Sequence, residues 1–455
     1  MIQSTHKNFV SSPVFTTNSV LMTPGGTQSA VGAAALLPAP VQLQTEAVAL
    51  QSGPRVSLSA AGEGAYGGAV WPIVGGSGNT MSYTNNLAGP GAALASFTLA
   101  TTAQIFYLSS PSIDAAGNVF IINRVGSSVV LRKYATTSVP FVELWSYTTT
   151  TIAFTEEEYG YFCPTLGQGV VYFMTTNGLH CVDSNTGVLK WVNPLRSFNY
   201  NFRAFLMLDK DGNVYGAVRE LVFSVAPSGV TRWMTTVTQY VASMALDAAT
   251  GILYAWCFGI DSFGNVNSCA LRLFDHATGT ELVTTPNTIA CGGGVLNMLN
   301  INFPVMIGNH FVYVSTGREV VAFHKHGDVA WIVPSYEIVY GPVAYNPKLD
   351  RVYFSGATNV SAGGTRYALQ AVDGATGILV NATLPGGLLI FPTMCIIDEN
   401  DHLYARLSDN TIRVFDAALN QVASVPNPKP GSVALALDTN GKLYVCADAG
   451  LYVSN

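Results

Sequence analysis

Along most of the chain, short apolar runs alternate with polar positions, and a β-favouring aliphatic residue followed by Tyr or Phe recurs after a turn signal. Eight such pairs stand at Val119-Phe120, Val171-Tyr172, Val214-Tyr215, Leu253-Tyr254, Val312-Tyr313, Val352-Tyr353, Leu403-Tyr404 and Leu443-Tyr444. Phe120 and Tyr444 bound seven steps, a mean period of about 46 residues, within the range of four-stranded propeller blades. Upstream of the pair lies a turn of the form Asp-x-x-Gly, as at Asp114 to Gly117 and Asp438 to Gly441, with relatives at Asp209 to Gly212 and Asp398 to Asp401. Asp bonds its own backbone and Gly supplies positive φ, so this turn joins the first two strands of a blade.

A second turn follows: Asp183-Ser-Asn-Thr-Gly187, Asp275-His-Ala-Thr-Gly279 and Asp373-Gly-Ala-Thr-Gly377, with weaker copies at Ser228-Gly229 and His326-Gly327. Four residues beyond the glycine stands Trp191, Trp233, Val283 or Trp331. That offset predicts a large side chain on the fourth strand, filling the wedge between blades, and Trp145 is assigned the same role in the first blade. Strand, Asp-x-x-Thr-Gly turn and Leu-x-Trp together resemble the repeat of pyrroloquinoline-quinone-type propellers, over residues 95–455. That family includes quinoprotein dehydrogenases and a bacterial outer-membrane assembly scaffold.

The expected fold is therefore all-β: an eight-bladed β-propeller of four-stranded antiparallel blades, starting near residues 112, 163, 204, 243, 304, 342, 392 and 432. Eight is the count of pairs, with six or seven blades the alternatives. The last blade has room for three strands before Asn455, so Ala95 to Ala100 is expected to complete it and close the ring, removing both open edges. Two parts follow: residues 1–91 as an extended N-terminal arm or small β segment for anchoring, and residues 92–455 as the propeller.

Composition narrows the function. Charged residues are 11% of the chain and the net charge is −6, without a clustered Lys/Arg stripe, so a nucleic-acid partner is excluded. The longest apolar stretch, Ala30 to Val41, is interrupted by Gly32 and two prolines and is too short for a membrane helix; no span and no signal peptide are read. Seven widely spaced cysteines, with no Cys-x-x-Cys, read as free thiols. The first 91 residues hold only Lys7, Glu46, Arg55 and Glu63 as charges and are rich in Gly, Ala, Ser and Thr. Too small for a core and too apolar for a solvated tail, this arm is expected to seek a surface.

Candidate chemistry is sparse. A quinone enzyme of the resembled family implies a cofactor near the ring axis, calcium, a catalytic Asp and a disulfide between adjacent cysteines. The chain has no adjacent cysteines, and no motif maps to the metal or base, so no cofactor, metal or catalytic residue is assigned. Asp209, Asp211, Asn213 and Glu220 imitate an EF-hand loop, but Val214 stands where glycine is required, and a plain hairpin is expected. Gly62-x-Gly64-x-x-Gly67 lacks a βαβ setting, and His324 with His326 lacks a third ligand nearby in sequence.

Loops between strands two and three and between blades share one face. There the longest candidates are Ser146 to Phe162, Gly259 to Ser268, Pro286 to Phe303 and Gly356 to Thr365. Long loops on one face of a rigid ring are where binding resides. Glu156, Glu157, Glu158, Asp261, Phe263, Asn265, Asn287 and Asn359 are the candidate contact residues. Low Lys and Glu, abundant small polar residues and an adhesive arm resemble phage and other virion structural proteins. The leading expectation is a non-catalytic virion component, such as a capsid decoration, spike or tail protein. It would be made in the cytoplasm and bound to other structural proteins through residues 1–91. A receptor- or glycan-binding propeller is the alternative, and a quinone-dependent dehydrogenase the second.

Overall fold

The computed structural model describes residues 87–102, 110–126, 128–150, 163–195, 206–260, 266–283, 288–290, 305–317, 319–334, 343–360, 364–383, 395–407, 409–429, 434–447 and 450–455. They form eight four-stranded antiparallel sheets arranged as the blades of a propeller ring. The first strands of blades one to seven are Ser112–Ile113, Thr165–Gly167, Met207–Leu208, Tyr240–Asp247, Met306–Ile307, Ala344–Asn346 and Ile396–Ile397. Each predicted aliphatic-aromatic pair falls in a second strand, and all sixteen residues are nearly inaccessible to solvent. β-branched and aromatic side chains suit this position because both faces of the sheet are covered by neighbouring blades.

Ring closure follows the expected route. Blade eight takes Ala434–Leu437, Leu443–Ala447 and Gly450–Ser454 from the end of the chain and Phe97–Thr101 from its beginning. Phe97 pairs with Ser454 and Leu99 with Tyr452, and a bulge follows before Thr101 meets Leu451. Removing the exposed sheet edges this way suppresses edge-to-edge association.

Packing of the ring begins before residue 92. Leu87 and Leu94 are buried in one apolar cluster with Ile396, Tyr404, Val425 and Leu437 of blades seven and eight. The amide of Gly89 donates to Asp398 Oδ2 (3.0 Å) and that of Gly91 to the Tyr404 hydroxyl (2.8 Å). The Leu87 carbonyl accepts from Glu399 (3.0 Å). Residues 87–91 thus belong with the propeller rather than with the arm. A Cβ on Gly89 would lie 2.2 Å from the Tyr404 oxygen, so only glycine permits this approach.

The seven cysteines do not all remain thiols. Cys163, Cys181, Cys257, Cys395 and Cys446 are free and buried, but Cys269, on the third strand of blade four, is disulfide-bonded. Spacing along the chain hid this, because a disulfide requires only that two Cα atoms approach in space.

Candidate binding surface

On the face holding the turns between strands one and two, the Asp that opens the turn performs two tasks in blades three, seven and eight. Asp209 Oδ1 accepts the amides of Asp211 and Asn213 (both 2.9 Å), while its Oδ2 accepts the Tyr215 hydroxyl (2.7 Å). Asp398 and Asp438 repeat this with Tyr404 (2.9 Å) and Tyr444 (2.8 Å), each tyrosine six residues after its aspartate. Burial pushes all three phenols above their usual range, and the carboxylate beside each adds to it. Blade one has Phe120 in the tyrosine position, and there Lys133 Nζ reaches Asp114 Oδ2 (3.1 Å) instead. The segment that imitates an EF-hand is therefore a hairpin turn whose Asp209 oxygens are all engaged within the blade.

The Asp-x-x-Thr-Gly turns, between strands three and four, lie on the same face and lock blade to blade. Asp183 Oδ1 accepts the amides of Asn185 and Thr186, holding its carboxyl below the usual range. Against such a turn packs the tryptophan of the preceding blade. Indole Nε1 donates to a turn carbonyl in each case: Trp145 to Ser184 (3.2 Å), Trp191 to Pro227 (2.9 Å), Trp233 to His276 (3.0 Å) and Trp331 to Gly374 (3.1 Å). The indole covers the turn glycine so closely that a Cβ there would fall 2.5–2.8 Å from ring carbons at Gly187, Gly229, Gly279 and Gly377. The other side of each indole meets the aromatic residue of its own second strand, with centroids 5.7–6.1 Å apart. Blade four has Val283 here and blade six has Asn381, which donates to the Ala418 carbonyl.

The opposite face carries the turns between strands two and three. In blade five that ladder stops at Ser315–Val320. In blade six it runs ten pairs, from Arg351–Asp373 to Val360–Gly364, and in blade four it reaches Ile260–Val266. Gly356 to Thr365, read from the sequence as a loop, is thus mostly ladder: Gly356 pairs with Ala368 and Asn359 with Thr365. Measured from the aliphatic of each pair, blade six extends five residues further than blade five, about 17 Å at the strand rise. Blade four extends four further, about 13 Å. Among the described residues, the ladder of blade five, which lies between them, is the shortest of the three. Glu156, Glu157, Glu158, Asp261, Phe263, Asn265 and Asn287 lie outside the described residues.

Titratable groups elsewhere are held structurally. His180, on the third strand of blade two, lies between Tyr147 OH (3.2 Å, Nδ1) and Thr175 Oγ1 (2.9 Å, Nε2) and stacks on Phe173. Burial lowers its pKa to about 4. His324 and His326 stack at 5.1 Å, and His326 pairs with Asp328 (3.1 Å). Among the described residues no group of three or more His, Cys, Asp or Glu converges as a metal site, and no helix is long and apolar enough to cross a membrane.

No family model matches the sequence, and no curated protein matches it. Among solved structures, the crystal structure of BamB from Moraxella catarrhalis aligns with a TM-score of 0.53 at 15% identity, covering 79% of this chain and 99% of that one. At that identity the likeness speaks for the propeller fold alone.

Proposed function

We propose that the protein is a non-catalytic interaction scaffold, anchored in a large assembly through its N-terminal arm and presenting the hairpin face to a partner. One observation carries the reading: the chain enters the ring at the turn of blade seven, where Leu87 and Gly89 bind Glu399 and Asp398, while the long hairpins of blades four and six rise from the opposite face. The point where the described chain joins the ring and the long hairpins thus lie on opposite faces, which leaves the hairpin face clear of that junction. The repeated Asp, Tyr and Trp residues serve turns and blade contacts, which is why chemistry is not assigned to them. Composition favours a virion surface or tail as the assembly, with the other structural proteins as partners of the arm.

The hairpins favour a receptor or glycan as the second partner. Imaging of the native source particle tests the first reading and should show the propeller in repeated copies. A freely soluble monomer whose behaviour is unchanged by deleting residues 1–86 would sink it. Screening the full chain against glycans and host surfaces tests the second. Dye reduction after adding pyrroloquinoline quinone with calcium would overturn the non-catalytic assignment.

A further inference from the structure

The exposed large apolar side chains of the described residues lie almost entirely on the fourth strands and the turns leading into them, around the outer rim of the ring. Val188 in blade two, Val230 in blade three and Ile378 in blade six are each more than 60% exposed, and each follows the turn glycine directly. Of the charges nearby, Glu143 is paired with Arg132, Lys190 with Asp183 and Glu281 with Arg272, while Arg232 beside Val230 donates to the Tyr215 and Ser224 hydroxyls. Soluble proteins seldom leave such apolar strips uncovered.

Blade seven shows what covers the rim. Its fourth strand, Gln421–Pro426, buries Val425 and half-buries Val422 and Ala423 in the cluster that holds Leu87 and Leu94. A segment of Leu, Ala, Gly and Pro from the same chain thus lies where, among the described residues, other blades expose apolar side chains. Of blade seven's two neighbours, blade eight exposes Leu99 on its outer strand, whereas blade six exposes more: its fourth strand Leu379–Thr383 has no charged residue and exposes Leu379 and Val380 after Ile378. The chain reaches Leu87 beside that blade: Glu399, which donates to Leu87, accepts through its own carbonyl from Lys348 of blade six (3.1 Å).

Residues 64–86, immediately upstream, contain no charge and carry the run Val70-Trp-Pro-Ile-Val74. Val74 and Leu87 are thirteen Cα steps apart, enough to span about 45 Å when extended, well beyond the width of one blade. We infer that this tract lies across the outer strand of blade six, with the Val70 to Val74 run over Ile378, Leu379 and Val380, continuing the cover that residues 87–94 give blade seven. This contact is within one chain and stands or falls separately from the assembly reading.

Carbene footprinting of the full chain tests it with an internal control, because Val230 and Ile378 are equally exposed in the ring, at 66% and 67%. The expected result is labelling at residues 378–380 at least threefold below that at Val230, rising to parity in a chain carrying Trp71→Ser and Ile73→Ser. Equal labelling in the unaltered chain overturns the inference. A photo-crosslinking residue at Val380 should give a monomer crosslinked to residues 64–86. A crosslink to a second copy, or none to that tract, overturns it as well.

Discussion

Replacing Gly377 by alanine should destabilise the ring mainly through Trp331, and a double-mutant cycle isolates that share. Gly377 sits at φ +70°, which costs a residue with a Cβ about 1–2 kcal/mol. The added Cβ would also lie 2.8 Å from the Trp331 ring, and forcing a packed contact apart costs about 1–3 kcal/mol more. Trp331→Ala alone loses the bond to Gly374 and the packing of a half-buried ring, about 2–4 kcal/mol. In the double variant the clash is gone and only the backbone term remains with the truncation. The two effects should therefore fall short of additivity by about 1–3 kcal/mol. Gly117 supplies the control: it has φ +78° but its Cβ would meet nothing nearer than Thr136 Oγ1 at 3.8 Å, so Gly117→Ala should cost only about 1–2 kcal/mol. Urea unfolding followed by far-ultraviolet circular dichroism measures all four variants. Additivity within about 0.5 kcal/mol, or an equal loss at Gly117 and Gly377, would refute the inter-blade role of the indole.

Three further outcomes follow from the same geometry. Tyr404→Phe leaves Asp398 Oδ2 and the buried Gly91 amide each without the Tyr404 hydroxyl, and should cost about 2–3 kcal/mol while speeding hydrogen exchange at Gly91; unchanged exchange there would exclude the seam. Gly450→Ala places a Cβ 2.0 Å from the Thr101 carbonyl oxygen, so it should loosen the closing strand and lower the melting temperature more than Gly117→Ala does. His180 protonates near 4 in the folded ring and near 6.5 when unfolded, so the unfolded state binds more protons between those values. Stability should accordingly fall as pH drops through that window, by about 3 kcal/mol once both states are protonated, and His180→Gln should flatten that part of the melting-temperature profile; an identical profile in the variant would assign the slope elsewhere.

The blades were legible because their signals are local. A Val-Tyr or Leu-Tyr pair beside an Asp-x-x-Gly turn fits within eight residues, and each marks a second strand in the structure. The dual use of Asp398 is visible too in the recurrence of Asp and Tyr six apart, but a tight turn alone is sufficient reason for an aspartate there, so the spacing does not demand a second partner. Blade-to-blade docking was only half visible. The offset from Gly187 to Trp191 suggested a packing residue, whereas the partner of Trp191 is Gly229 in the next blade, a relation that no single repeat contains. The ladder through Gly356 and Asn359 was hidden because Gly and Asn disfavour strands by propensity, while backbone pairing with Ala368 and Thr365 does not depend on side chains. The seam at Gly89 and Gly91 spans more than 300 residues to Asp398 and Tyr404, beyond any local pattern.

Blade eight imposes an order on biosynthesis. Thr98 hydrogen-bonds Asn455 across 357 residues, so a strand that leaves the ribosome early must wait for its partner until roughly 20–70 s of further elongation have passed. During that interval the growing ring is an arc with two raw edges, and the Phe97–Thr101 strand has no sheet to join. Completion of the ring is thus a single late event on which every earlier blade depends for a sealed perimeter.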